Sequence, residues 1–233
     1  MTTAKRTGIL GGTFDPVHVG HLDLALAAQR TLELDEVLFM PSRVPPHRTD
    51  GPHVSVYHRF AMLALAVAPY ETIGLSDLEL RSPGVSYTSV TLEQLGLAGH
   101  RPSSLFFILG ADAFAEIATW HDYPAVLERC HFVVVSRPGS PVSRLPLELP
   151  ALAGRMRHIG SATDIGRPSH GPALSIVLVD TATRDVSSTE VRRRLASGGE
   201  TDDLVPPSVR SYIARNRLYG GRQAGQPLAW GTT

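Results

Sequence analysis

The chain has 233 residues, 22 Lys+Arg against 22 Asp+Glu, and a hydrophobic share of 42%, enough for one sizeable globular core. A single cysteine, Cys130, excludes intrachain disulfides and a four-cysteine zinc site, and zero net charge argues against non-specific binding to nucleic acid or membrane. All basic residues but Lys5 are arginine, and Lys5 precedes the first apolar run, which excludes a Walker-A loop, a protein-kinase strand lysine and a Schiff-base lysine.

Short apolar runs alternate with helical periodicity, the pattern of βα units and a doubly wound, mostly parallel α/β sheet. In chain order, strands are predicted at Thr7–Leu10, Val37–Met40, Ile73–Leu80, Leu105–Leu109, Phe132–Ser136 and Leu174–Val179. Helices are predicted at Gly20–Leu32, Ser55–Val67, Thr88–Leu95, Ala113–Ile117, Tyr123–Arg129, Val191–Ala196 and Pro207–Arg215. Residues 137–172 hold six prolines and five glycines with weak periodicity and read as an elaborated connection; 220–233 have the composition of a frayed tail. The expected organisation is one domain over residues 1–219 carrying that insertion. The polar N-terminus shows no signal sequence, so a cytoplasmic protein is expected.

The most informative segment is Gly11-Gly12-Thr13-Phe14-Asp15-Pro16-Val17-His18-Val19-Gly20-His21, between the first strand and first helix. In a parallel sheet this loop lies at the carboxyl edge, where backbone N–H groups and a helix N-terminus face an incoming anion. Gly11 and Gly12 permit close backbone approach, and His18 and His21, three apart, share one helical face. Such a pair can donate to phosphate oxygens. The residues alone equally allow solvated histidines on a capped turn, or a metal pair.

The string resembles the mark of the nucleotidylyltransferase superfamily, (S/T)-x-F-(D/N)-P-x-H-x-G-H, at every defined position. The resemblance implies a Rossmann-like fold in which His18 and His21 hold the triphosphate of ATP and stabilise charge at the α-phosphorus, with Gly11, Gly12, Thr13 and Phe14 lining the phosphate site. Near the other end, Ser187-Ser188-Thr189-Glu190-Val191-Arg192 reads physically as a capping box at a helix start, followed by a basic surface run that includes Arg193 and Arg194. It resembles the superfamily's (I/V)-S-S-T-x-(I/V)-R motif, which implies that Ser188, Thr189 and Arg192 bind ATP phosphates.

Three further segments resemble the bacterial nicotinate-nucleotide adenylyltransferases: Pro41 to Arg48, like P-x-x-x-P-P-H-(K/R); Ser86-Tyr87-Thr88; and Gly110-Ala111-Asp112-Ala113 followed by Thr119-Trp120-His121. Arg48 then grips phosphate, and Thr88, Gly110, Asp112, Trp120 and His121 contact nicotinate mononucleotide or ribose. Physically, a helix start at Thr88 offers N–H groups to a carboxylate and Trp120 a flat face to a pyridine ring, while Asp112 suits ribose hydroxyls or an influence on Mg²⁺. Trp120 as core packing, and Thr88 and Asp112 as simple caps, are the competing readings. Two departures are Arg48, where many relatives carry Lys, and His121, where an aromatic ring is common.

The resemblance implies adenylyl transfer from ATP to nicotinate mononucleotide in NAD biosynthesis, with Mg²⁺ arriving on ATP and no protein metal site. The expected partners are the two nucleotides, with no nucleic acid or membrane, and a homo-oligomer stays open. Alternatives are a sibling enzyme for nicotinamide mononucleotide or phosphopantetheine, or a catalytically silent nucleotide-binding regulator. Cys130, ahead of an apolar strand, reads as a buried structural thiol.

Overall fold

The structure, a computed structural model, describes residues 5–46, 51–159 and 174–220. Apolar runs without alternation form strands buried on both faces, as the helix-covered strands of a parallel sheet require. In chain order the elements are β1 (Thr7–Gly12), α1 (Val19–Leu32), β2 (Glu36–Pro41), α2 (Val56–Val67), β3 (Ile73–Leu75), α3 (Leu78–Arg81) and α4 (Thr88–Leu97). There follow β4 (Leu105–Gly110), α5 (Ala111–Ala115), β5 (His131–Val135), α6 (Leu145–Glu148), β6 (Met156–Ile159), β7 (Ile176–Val179), α7 (Ser188–Ala196) and α8 (Pro207–Arg215).

The seven strands pair in the order β3-β2-β1-β4-β5-β7-β6, all parallel. Alternate side chains of each strand serve opposite faces. Leu10, Ile108, Val133 and Val177 pack under α1, α2, α7 and α8, whereas Ile9, Phe107, Val134 and Leu178 pack against α4, α5 and α6. Each large apolar side chain so buried contributes about 1.5–3 kcal/mol, which makes packing on the sheet, more than helix propensity, what holds these short helices.

Three expectations need correction. The strand predicted at Ile73–Leu80 ends at Leu75, because the Ser76 hydroxyl accepts from the N–H of Leu78 and Asp77 N-caps α3. The helix predicted at Tyr123–Arg129 is a single 3₁₀ turn, Ala125–Glu128. Within the connection predicted at 137–172, residues 142–155 coil into short helical turns carrying Pro146 and Pro150, and β6 adds an edge strand to β7. Arg157 and His158 of β6 are exposed, which hid its pattern from periodicity. Residues 160–173 and 221–233 lie outside the described residues.

Candidate active site

β1 and β4 are paired only as far as Leu10 and Ile108. Beyond that point Gly11 and Gly12 follow β2 to Pro41, while Leu109 and Gly110 follow β5 to Val135. The sheet therefore splits at its carboxyl edge, where strand order reverses, and open α/β sheets bind ligands in this crevice.

α1 starts at the crevice. His18 is its N-cap in extended backbone, and His21 is its third residue. The imidazoles stack with centroids 3.6 Å apart at 24°. The N–H of His18 donates to Nδ1 of His21 at 3.2 Å, so in the neutral ring the proton sits on Nε2. His18 is 2% exposed, and its Nδ1 has no hydrogen-bond partner among the described residues. Burial pushes its pKa down to about 3, with the Arg137 charge adding and Asp23 opposing. Burial, then His18 and Arg137, hold His21 well below the ordinary range. At neutral pH the free protein thus carries two neutral imidazoles, and the positive charge of the site comes from arginines. Gly20 keeps this packing possible, since a Cβ there would lie 3.2 Å from Nδ1 of His18 and 3.5 Å from the Arg184 carbonyl.

Below the histidines, Phe14 is buried with φ 51°, a left-handed conformation rare outside glycine, and its ring meets His21 edge-on at 4.9 Å. It reaches the site by supporting His21. The Thr13 carbonyl accepts from Nη1 of the buried Arg59 at 2.6 Å. The Ser42 N–H donates to the Gly12 carbonyl at 2.9 Å, linking the loops after β1 and β2.

α7 closes on the same loop. The Ser188 hydroxyl donates to the Pro16 carbonyl at 2.9 Å, and Arg192 donates from Nη1 to the Asp15 carbonyl at 2.6 Å and from Nη2 to the Thr189 hydroxyl at 3.1 Å. Just before α7, Arg184 pairs with Asp23 of α1 through two bonds of 2.7 and 2.8 Å. The capping box is only half formed: the Ser187 hydroxyl accepts from the N–H of Glu190, but the Glu190 carboxylate turns to Arg193 and Arg194.

Across the crevice, α4 begins at Thr88, and the side chain of its N-cap residue, Tyr87, makes no capping hydrogen bond. The Tyr87 ring stacks on His121 at 4.2 Å and 18°, and Nδ1 of His121 lies 3.1 Å from the Ser89 hydroxyl. Trp120 is half-buried and meets Phe107 at 89°, so it combines core packing with an accessible surface. The Asp112 side chain, 53% exposed, sits in the first turn of α5 beside Arg137. Gly110 leaves room for both side chains, because a Cβ would meet Cδ of Arg137 at 2.6 Å and crowd the Asp112 carboxylate, so that both would have to shift. Arg48 and His47 lie outside the described residues.

Sequence reasoning missed Arg137, which follows β5, donates to the Val186 carbonyl at 3.0 Å and adds to the effect of burial at both histidines. Its signal was positional: the residue after an apolar strand adjoining the split. Asp15 and Tyr219 were missed too. The Asp15 carboxylate, with no exposed surface, accepts from the Tyr219 hydroxyl at 2.8 Å and from the His53 N–H at 2.8 Å. Cys130 is buried, and burial raises its thiol to about 12, as an inert thiol requires.

A split parallel sheet with stacked histidines at a helix start and a brace from the chain's other end defines a nucleotidyltransferase of the cytidylyltransferase-like class, whose family model matches residues 9–194. A relative from Cronobacter sakazakii named "Probable nicotinate-nucleotide adenylyltransferase" is 41% identical over 90% of this chain and 93% of its own. One of the same name from Pseudomonas syringae is 41% identical over 94% and 96%. The chain belongs to the nicotinate-nucleotide adenylyltransferase family. Its fold is also that of the Plasmodium falciparum nicotinic acid mononucleotide adenylyltransferase complexed with NaAD, with a TM-score of 0.71 at 19% identity over 92% of this chain and 97% of that one.

Proposed function

We propose that this protein transfers the adenylyl group of ATP to nicotinate mononucleotide, releasing pyrophosphate and forming deamido-NAD. The observation that carries the reading is that Ser188 and Arg192 bond to the loop presenting His18 and His21 at the split between β1 and β4, across from the helix start at Thr88. A phosphate oxygen of the mononucleotide forms a bond to the α-phosphorus. The bond from that phosphorus to the bridging oxygen breaks, and pyrophosphate leaves with the electron pair. Such a displacement needs no protein nucleophile, so its rate rests on alignment and on donors placed where charge develops. His21 supplies Nε2–H, and Arg192 and Arg137 supply positive charge. The N–H groups opening α4 suit the nicotinate carboxylate.

Mg²⁺ belongs to the same proposal. Among the described residues no group of three His, Cys, Asp or Glu is placed to hold a metal, and Asp112 is the exposed carboxylate at the split, a donor set that fits an ion held chiefly by ATP's own phosphates. Bound there, the ion would neutralise phosphate charge. A cytoplasmic location is proposed with the reaction, as the compartment of both nucleotides; among the described residues no helix is long and apolar enough to cross a membrane.

The test is a competition assay on the purified protein with nicotinate mononucleotide, nicotinamide mononucleotide and phosphopantetheine, following pyrophosphate release. Preference for nicotinate mononucleotide is expected. Preference for phosphopantetheine overturns the reading, and ATP binding without release from any acceptor points to a silent nucleotide binder.

A further inference from the structure

Glu79 is a buried carboxylate with no part in the chemistry above. It sits in α3, 7% exposed, between β3 and the turn leading into α4. The Thr91 hydroxyl in α4 donates to its Oε1 at 2.6 Å, and the hydroxyls of Ser86 and Ser42 lie close enough to favour its charged form. Its Oε2 nevertheless has no hydrogen-bond partner among the described residues, and burial, the dominant influence, raises its pKa. A carboxyl group in that position costs folding free energy, so its neighbours show what it holds in place.

All three hydroxyls belong to segments that build the acceptor side of the crevice. Ser86 immediately precedes Tyr87 and Thr88; its hydroxyl accepts from the Arg43 N–H at 3.0 Å and its N–H donates to the Val44 carbonyl at 2.9 Å. Arg43 also reaches from Nη1 to the Leu80 and Ser82 carbonyls, both at 3.4 Å, and so grips the helix that carries Glu79. Thr91 has one hydroxyl hydrogen and two acceptors, Glu79 at 2.6 Å and the Tyr87 carbonyl at 3.2 Å. The shorter contact takes it. Ser42 contacts the phosphate loop, but through its main-chain N–H to Gly12, a bond that needs no side chain.

We propose that Glu79 is a positioning residue for the acceptor: its carboxylate anchors Thr91, and through it α4, so that Tyr87 and the first N–H groups of α4 are held where the nicotinate ring and carboxylate must fit. The inference rests on the acceptor reading given above. It assigns Glu79 to the mononucleotide and not to ATP, because the one tie toward the phosphate loop survives its removal.

Glu79→Leu keeps the approximate shape and deletes the acceptor oxygens, and the Thr91 hydroxyl left behind still has the Tyr87 carbonyl at 3.2 Å as an acceptor. It should raise KM for nicotinate mononucleotide about tenfold while leaving KM for ATP within about twofold, and Glu79→Gln, which keeps one acceptor oxygen, should move the first constant about threefold in the same direction. If the leucine variant does not fold, the glutamine variant decides. An unchanged acceptor KM in the folded variants, or equal rises in both constants, overturns the proposal. If the unaltered protein does not use nicotinate mononucleotide, the functional reading fails; if it does and the glutamine variant matches it, only the role of Glu79 fails.

Discussion

Arg192 donates from Nη1 to the main-chain carbonyl of Asp15 at 2.6 Å, bridging 177 residues of sequence. The guanidinium that the family resemblance assigns to phosphate also braces the loop that presents His18. Because Nη2 reaches the Thr189 hydroxyl as well, both arms of the fork are used. Lysine offers a compact point charge and cannot span both sites. Arg192→Lys should therefore lose about 10²-fold in kcat/KM despite keeping its charge. Steady-state pyrophosphate release checks this, and retention of activity within a few-fold contradicts a bracing role.

His18→Ala and His21→Ala should each lose about 10²–10³ in kcat, the usual cost of removing one donor aimed at developing charge. Both variants should keep the circular dichroism of the unaltered protein, since neither ring anchors a strand. Near-normal turnover in a folded variant would sink the assignment of the histidines to the α-phosphorus.

The depressed pKa of His18 makes stability depend on pH in a definite direction. The unfolded chain takes up a proton as pH falls through 6.5, whereas folded His18 refuses it until about 3. Its contribution is thus complete above 6.5 and lost as pH falls toward 3. The loss is about 1.4 kcal/mol per pH unit within that window. Urea denaturation at about pH 7.5 and about pH 5.5 should show a smaller stability difference in His18→Ala than in the unaltered protein. Equal differences would mean that folded His18 titrates normally.

Tyr219→Phe removes the hydroxyl bonded to Asp15 and leaves a fully buried carboxylate one donor short. A loss of about 1–3 kcal/mol in unfolding free energy is expected, with a fall in kcat because Asp15 adjoins the histidine loop. A urea midpoint unchanged from the unaltered protein would show that the bond contributes nothing.

His121 stacks on Tyr87 at 4.2 Å, which points to ring contact as its role. His121→Phe should keep the KM for nicotinate mononucleotide within about threefold, whereas His121→Ala should raise it about five- to tenfold. Equal losses in both variants would instead implicate the imidazole nitrogens, for example in the contact with Ser89.

The fold was legible because its signals are local. Runs such as Leu105–Gly110 and His131–Val135 are apolar throughout, as strands covered on both faces must be, and glycine, proline and serine mark most ends. β6 escaped because an edge strand with two exposed polar residues resembles a loop. The same division holds at the site. His18, His21, Ser188, Thr189 and Arg192 stand in contiguous motifs that can be read one segment at a time. Arg137, Tyr219 and Glu79 acquire meaning only from partners 12 to 204 residues away on other elements, as in the bonds to Val186, Asp15 and Thr91, and no local pattern encodes such pairings. Glu190 shows the hazard of local reading: its spacing from Ser187 fits a capping box, yet two nearby arginines compete for the carboxylate and win it.

The brace from α7 and the Tyr219 hydroxyl also bears on how the enzyme comes into being on the ribosome. The histidine loop is made 172 to 204 residues ahead of the groups that close over it, from Ser188 to Tyr219. A nascent chain can therefore fold much of its sheet while its nucleotide site is still open on one side. Messages truncated before that stretch should yield sheet-bearing but idle products, and catalytic competence should appear late and abruptly.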